Sequence, residues 1–188
     1  MQSDAAYTLP LEGTLAKTGN RDLAQKHLEY AQSRMKLSKF SVLLGFDVER
    51  LYEGGAILSM KVEDRHRQIH NVVHGGAIAT LADTAGAIAA YTVAPKGFEL
   101  ATIELKINYL LPIAEGKVEA EGKVLRAGRN FMVVECDVRN HEGSLAAKAL
   151  MTFGAAGGRA LESAREADRQ AGLELATKPL KSRKRRQA

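Results

Sequence analysis

The sharpest alternation of apolar and polar positions in the chain is ATIELKINYL, where Ala101, Ile103, Leu105, Ile107 and Tyr109 share one side and Thr102, Glu104, Lys106 and Asn108 the other. Three later segments keep the same period: KVEAEGKVLR after a turn built on Pro112 and Gly116, FMVVECDVR after AGRN, and SLAAKALMTF after NHEG. Short loops between alternating strands predict an antiparallel meander. Upstream, residues 54–63 (GGAILSMKVE) alternate too, with Ala56, Leu58, Met60 and Val62 on the buried side.

Two stretches carry a helical period instead. Asn20, a candidate N-cap, opens RDLAQKHLEYAQSRMK, in which Ala24, Leu28, Ala31 and Met35 recur at helical spacing. Residues 74–90, HGGAIATLADTAGAIAA, form a second helix of small apolar residues, and a helix apolar nearly all round is a buried one. Its alanines leave little side-chain volume, so a strongly curved sheet can close around it. Helix, strand, long central helix and four strands predict an α+β domain over residues 20–156. Residues 1–19 read as a poorly ordered arm. Residues 157–188 read as an extension in which Ala160, Ala164, Ala167 and Ala171 stripe a surface helix ahead of a basic tail.

Composition removes several classes of function. No apolar run approaches the roughly 20 residues that span a bilayer, and the first sixteen residues carry only Asp4 and Glu12 as charges, unlike a secretory signal. Cys136 is the only cysteine, so no disulfide forms within the chain, which fits the cytoplasm; its alternation with Met132, Val134 and Val138 reads as a buried, inert thiol. The formal charge of +5 rests on Lys178, Lys181, Arg183, Lys184, Arg185 and Arg186; the other residues number 21 basic against 22 acidic. The body is therefore not a nucleic-acid surface; the tail could touch RNA, anionic lipid or an acidic partner, but such tails are more often simply solvated. There is no P-loop, G-x-G-x-x-G or G-x-S-x-G motif.

Asp83 is the one charged side chain between Asn71 and Pro95. Gly75 and Gly76 open its helix, where unpaired amides and the helix dipole can hold an oxygen with partial negative charge and no Cβ blocks approach. Asp83 would supply the other half of the chemistry, as general base or nucleophile. Gly76 and Asp83, seven residues apart, lie about 10 Å apart along the axis. One chain's carboxylate should not reach an atom held by its own glycine amide, so a two-fold dimer with composite sites is expected. Against this stands a structural role, with Asp83 bonded to a neighbour such as Thr80 or Thr84. His66, His70 and His74 recur every fourth residue and would share a face for zinc if helical, but Val72, Val73 and the glycine pair oppose that helix. No metal or organic cofactor is expected. His74 is read as a helix-entry residue whose ring bonds backbone and fixes the glycine loop.

With those residues in view, VVHGGAIATLADTAGAIAAYT followed by TIELKINYLLP resembles the hotdog-fold thioesterases of the PaaI-like superfamily over roughly residues 45–155. The resemblance implies a curved antiparallel sheet around the long helix, a homodimer with a continuous sheet or a dimer of dimers, and hydrolysis of acyl-CoA to acid and CoA. It implies that Asp83 is the catalytic carboxylate, that Gly76 or Gly75 gives the oxyanion amide, that His74 is the motif histidine, and that Thr102 stands where some relatives carry a water-orienting serine. Many members have Asn six residues before the histidine; this chain has Gln68, with Asn71 nearby. For the phosphates of CoA, LRAGRN offers Arg126 and Arg129 around Gly128. Two rivals stay open: an acyl-CoA-binding module without turnover, and hydrolysis of acyl carrier protein thioesters.

Overall fold

The computed structural model describes residues 20–94, 99–128, 130–156, 166–167 and 169–172. The expected arm at residues 1–19, Arg129 and most of the C-terminal extension, its basic tail included, lie outside them. Helix α1 (Asn20–Leu37) packs Leu28, Ala31 and Met35 toward the core, as its spacing predicts. Helix α2 (Lys39–Leu44) and strand β1 (Phe46–Tyr52) follow. Strand β2 (Gly55–Lys61) precedes a 3-10 turn at Asp64–His66 and helix α3 (Gly75–Tyr91). Strands β3 (Glu99–Tyr109), β4 (Lys117–Ala127), β5 (Phe131–Arg139) and β6 (Leu145–Ala156) complete the sheet.

Neither α2 nor β1 is predicted by the hydrophobic pattern. At six residues α2 is too short to show a period; it is set by Ser38, whose hydroxyl accepts the Ser41 N–H, and by Gly45 in the left-handed region at φ 65°. In β1 the alternation of Phe46 and Val48 breaks at a bulge between Val48 and Arg50.

All six strands pair antiparallel, in the order β1-β2-β4-β5-β6-β3. The predicted four-strand meander is thus corrected: β4, β5 and β6 form one, whereas β3 crosses to the far edge and pairs with β6. Loop length misleads here because the seven residues from Leu110 to Gly116 traverse the end of the sheet instead of turning a hairpin. Leu110 and Leu111 donate to Ala146 O and Val73 to Ile113 O, which pins that crossing segment.

The sheet curves around α3, which touches every strand. Leu58, Met60, Leu81, Val118, Val134, Met151 and Phe153 are almost wholly buried between them, each stabilising by about 1.5–3 kcal/mol relative to exposure. Gly122 allows the close approach: a Cβ there would stand 2.7 Å from the Ala85 carbonyl oxygen. Cys136 is fully buried, and desolvation pushes its thiol up to about 12, as an inert core cysteine requires.

The small-residue helix is not enclosed all round. Ala77, Ile78, Leu81, Ala82, Ala85, Ala89 and Ala90 are buried, whereas Gly76 is exposed and Thr80, Asp83 and Ala87 are half-buried. These last four lie on one helical stripe, beside the edge strand β3. No helix among the described residues is long and apolar enough to cross a membrane.

Candidate active site

The approach to α3 is a narrow hairpin. Arg67 and Val73 pair across it, Gln68 N–H donates to Val72 O at 2.8 Å, and Asn71 N–H donates to Gln68 O at 2.9 Å. Asn71 takes φ 61°, which asparagine tolerates better than other side-chain-bearing residues. The Arg67 guanidinium braces the tip through Asn71 O at 2.7 Å and Ala114 O at 2.5 Å. His74 N–H then reaches back to His66 O at 2.7 Å, so the helix entrance is tied to the turn before it.

The three spaced histidines do not share a face. His66 is buried in the 3-10 turn, its Nδ1 accepting the Glu63 N–H at 2.9 Å; His70 is in the hairpin turn and His74 caps α3. Burial, then the Arg65 charge, hold the His66 imidazole below its usual range. The helix that a zinc site would have needed is absent there, and no cluster of three or more His, Cys, Asp or Glu suited to a metal occurs among the described residues.

His74 does bond backbone, as its position suggests, and the amide it engages is that of Gly76, which donates to Nδ1 at 2.8 Å. That acceptor role assigns the proton of the neutral ring to Nε2. It also occupies one of the two glycine amides considered for an oxyanion. Gly75 N–H makes no hydrogen bond among the described residues, which is the normal state of a first-turn amide awaiting a partner.

Asp83 lies two turns further along. Neither threonine on its own helix binds it: Thr80 donates to Gly76 O at 2.8 Å and Thr84 to Thr80 O at 2.7 Å, satisfying backbone carbonyls instead. Its partner is Thr102 of β3, whose hydroxyl donates to Oδ1 at 2.9 Å. Desolvation raises the Asp83 pKa above the ordinary aspartate range, and the Thr102 bond partly opposes the rise.

Strict alternation puts Thr102 on the face opposite Leu105 and Ile107, away from the helix. The structure overturns this. A bulge between Thr102 and Glu104 leaves Ile103 unpaired, so the inward set is Leu100 and Thr102 before it and Leu105, Ile107 and Tyr109 after it. Ile103 instead faces outward beside Gly154 and Phe131.

Within one chain, Asp83 with Thr102 and His74 with Gly76 are brought together. Asp83 and Gly75 are not; eight residues of helix separate them by about 12 Å. Gln68 is half-buried and Asn71 exposed on the hairpin, and neither side chain makes a hydrogen bond among the described residues. Arg126 pairs with Val133 on the sheet face turned away from α3, and Gly128 N–H closes the following turn on Phe131 O at 2.8 Å. One participant is missing from the residues singled out above: Tyr109, whose hydroxyl donates to Gly75 O at 2.9 Å. Its helix-facing place at the end of an alternating strand was the available signal.

A family description, the thioesterase superfamily, matches residues 70–147, the stretch from the hairpin through α3 into β6. Conserved protein PA5202 of Pseudomonas aeruginosa is 33% identical over 65% of this chain and 98% of its own, with a TM-score of 0.62. The proofreading thioesterase EntH of Klebsiella pneumoniae is 33% identical over 53% of this chain and 73% of its own. The PaaI protein of the E. coli phenylacetic acid degradation operon superposes with a TM-score of 0.65 at 26% identity, over 72% of this chain and 97% of its own. This chain belongs to the thioesterase superfamily and has its hotdog fold.

Proposed function

We propose that the protein hydrolyses acyl-CoA thioesters at sites completed across a two-fold axis. The observation that carries this reading is Asp83: a carboxylate with one hydroxyl partner among the described residues and a raised pKa, on the less buried stripe of α3 beside β3. The outer edge of β3 pairs with no other strand among the described residues, and both Asp83 and Gly75 bond to residues of that strand. A second copy pairing there, edge to edge and antiparallel, would set each Asp83 against the other chain's helix entrance.

In that arrangement the thioester carbonyl oxygen accepts from Gly75 N–H, with His74 Nε2–H and the Gln68 amide as further donors. The partner subunit's Asp83 takes a proton from water, whose oxygen attacks the carbonyl carbon. The tetrahedral intermediate collapses, the C–S bond breaks, and the CoA thiolate leaves and is protonated. Thr102 fixes one carboxylate oxygen, leaving the other for the water. Were Asp83 to attack directly, an acyl-enzyme anhydride would form first and water would cleave it in a second step. Arg126, on the outer face, is the candidate contact for CoA phosphates.

Thiol release measured over a panel of acyl-CoA esters tests the proposal. Turnover is expected in the native protein and should fall about 10³-fold in Asp83→Asn. Tight binding with no turnover would instead make the protein an acyl-CoA-binding module. A strong preference for the same acyl group on acyl carrier protein would reassign the carrier.

A further inference from the structure

The peptide unit joining Gly75 to Gly76 is held at both ends. Its oxygen accepts the Tyr109 hydroxyl at 2.9 Å, and its N–H donates to His74 Nδ1 at 2.8 Å. The two glycines divide the space between these side chains. A Cβ on Gly75 would lie 3.1 Å from Tyr109 Cζ and 3.3 Å from its hydroxyl oxygen; one on Gly76 would lie 3.0 Å from His74 Nδ1. Each glycine thus makes room for one arm of the clamp, a reason for a glycine pair that differs from substrate access alone.

We infer that Tyr109 is a positioning residue for the oxyanion site, acting through the Gly75–Gly76 peptide on both the Gly75 amide and the His74 ring. The hydroxyl limits rotation of the first helical peptides, so that Gly75 N–H keeps one direction. Donation to the carbonyl also polarises the peptide, strengthening the Gly76 N–H to Nδ1 bond at its other end. That bond keeps the His74 proton on Nε2, the nitrogen free to donate. The hydroxyl itself is spent on Gly75 O, so Tyr109 contacts no reacting atom. Packing alone would not need it, because the side chain is 51% exposed and would lie against Gly75 equally well as phenylalanine. The inference rests on the proposed thioesterase reading for what the Gly75 amide binds, whereas the clamp rests on geometry.

Tyr109→Phe separates the two. It keeps the ring and removes the hydroxyl, so folding should survive. Against an acyl-CoA substrate, kcat should fall about 5- to 10-fold with KM within about twofold, since a mis-aimed oxyanion donor is felt mainly in the transition state. In proton–nitrogen NMR spectra of the ligand-free protein, the Gly76 amide proton should move upfield and the His74 ring should show more of the Nδ1–H tautomer. Native kcat in Tyr109→Phe overturns the inference, as does a Gly76 amide proton that does not move. A KM rise with kcat intact would place the hydroxyl on substrate and overturn it as well. If the native protein cleaves no acyl-CoA, the proposed activity fails, and the two NMR readouts still decide the clamp.

Discussion

Two carboxylates flank the strand β3, and the protein treats them oppositely. Glu99, at its start, accepts the Tyr91 hydroxyl at 2.6 Å and sits 3.6 Å from the Arg34 guanidinium, with its side chain 15% exposed. The clasp joins α1, the end of α3 and β3; burial, then the Glu99 hydrogen bond, push the Tyr91 phenol up to about 12. Asp83, eight residues before Tyr91 on the same helix, has one hydroxyl partner and no cation among the described residues. A carboxylate that holds elements together is surrounded by donors. One left short of them, and desolvated enough to raise its pKa, is suited to bind water or take a proton.

The widest separation between the two should appear in turnover. Asp83→Asn keeps the shape and removes the proposed base, so kcat for thioester cleavage is expected to fall about 10³-fold, within the range typical of a lost general base. Glu99→Ala should leave kcat within about twofold. Its cost is stability: losing acceptors for Tyr91 and Arg34 is expected to remove about 1–3 kcal/mol, a drop of several degrees in Tm by calorimetry. If Glu99→Ala abolished turnover in a folded protein, the division between structural and chemical carboxylate would collapse.

The same contrast shows what was legible in the sequence. Asp83 stood out because a charge amid Ala, Ile and Leu is a local anomaly, visible without any contact map. The alternating strands and the alanine-rich helix were equally plain, because a curved sheet closing on a helix fixes which residues must be small. Strand order was not legible: the crossing of β3 to the far edge depends on the path of Leu110–Gly116, and no local period records that path. The face of Thr102 is hidden for a related reason, since a bulge at Ile103 inverts parity at one residue of an otherwise regular strand. The role of Tyr109 is not visible locally, because alternation accounts for it as core while its hydroxyl bond lies across 34 residues of sequence.

A smaller effect, and of opposite sign, should appear in stability. With its native pKa raised, Asp83 binds its proton more tightly in the folded chain than in the unfolded one. Below the ordinary aspartate range both states are protonated and the contribution is fully present. As pH rises from there through the higher native value, the folded state must carry a desolvated charge and the contribution is lost. Asp83→Asn escapes that loss. Its Tm should exceed the native value at pH 7, with the advantage shrinking toward zero below about pH 4. An unchanged difference across that window would mean that Asp83 is solvated enough to ionise normally.

The finest test removes the one donor that Asp83 has among the described residues. Thr102→Val preserves the branched shape on the helix-facing side of the bulge and deletes the hydroxyl at 2.9 Å. The bond stabilises the charged form, so its loss should raise the Asp83 pKa further. The acidic limb of kcat/KM against pH should therefore move to higher pH, with a few-fold loss on the plateau from a less ordered carboxylate, and Thr102→Ser should restore both. A limb that stays in place would separate the titrating group of the reaction from the carboxylate that Thr102 holds. Because Glu99 keeps its clasp in this variant, the melting temperature should barely move, which distinguishes a shifted base from a loosened fold.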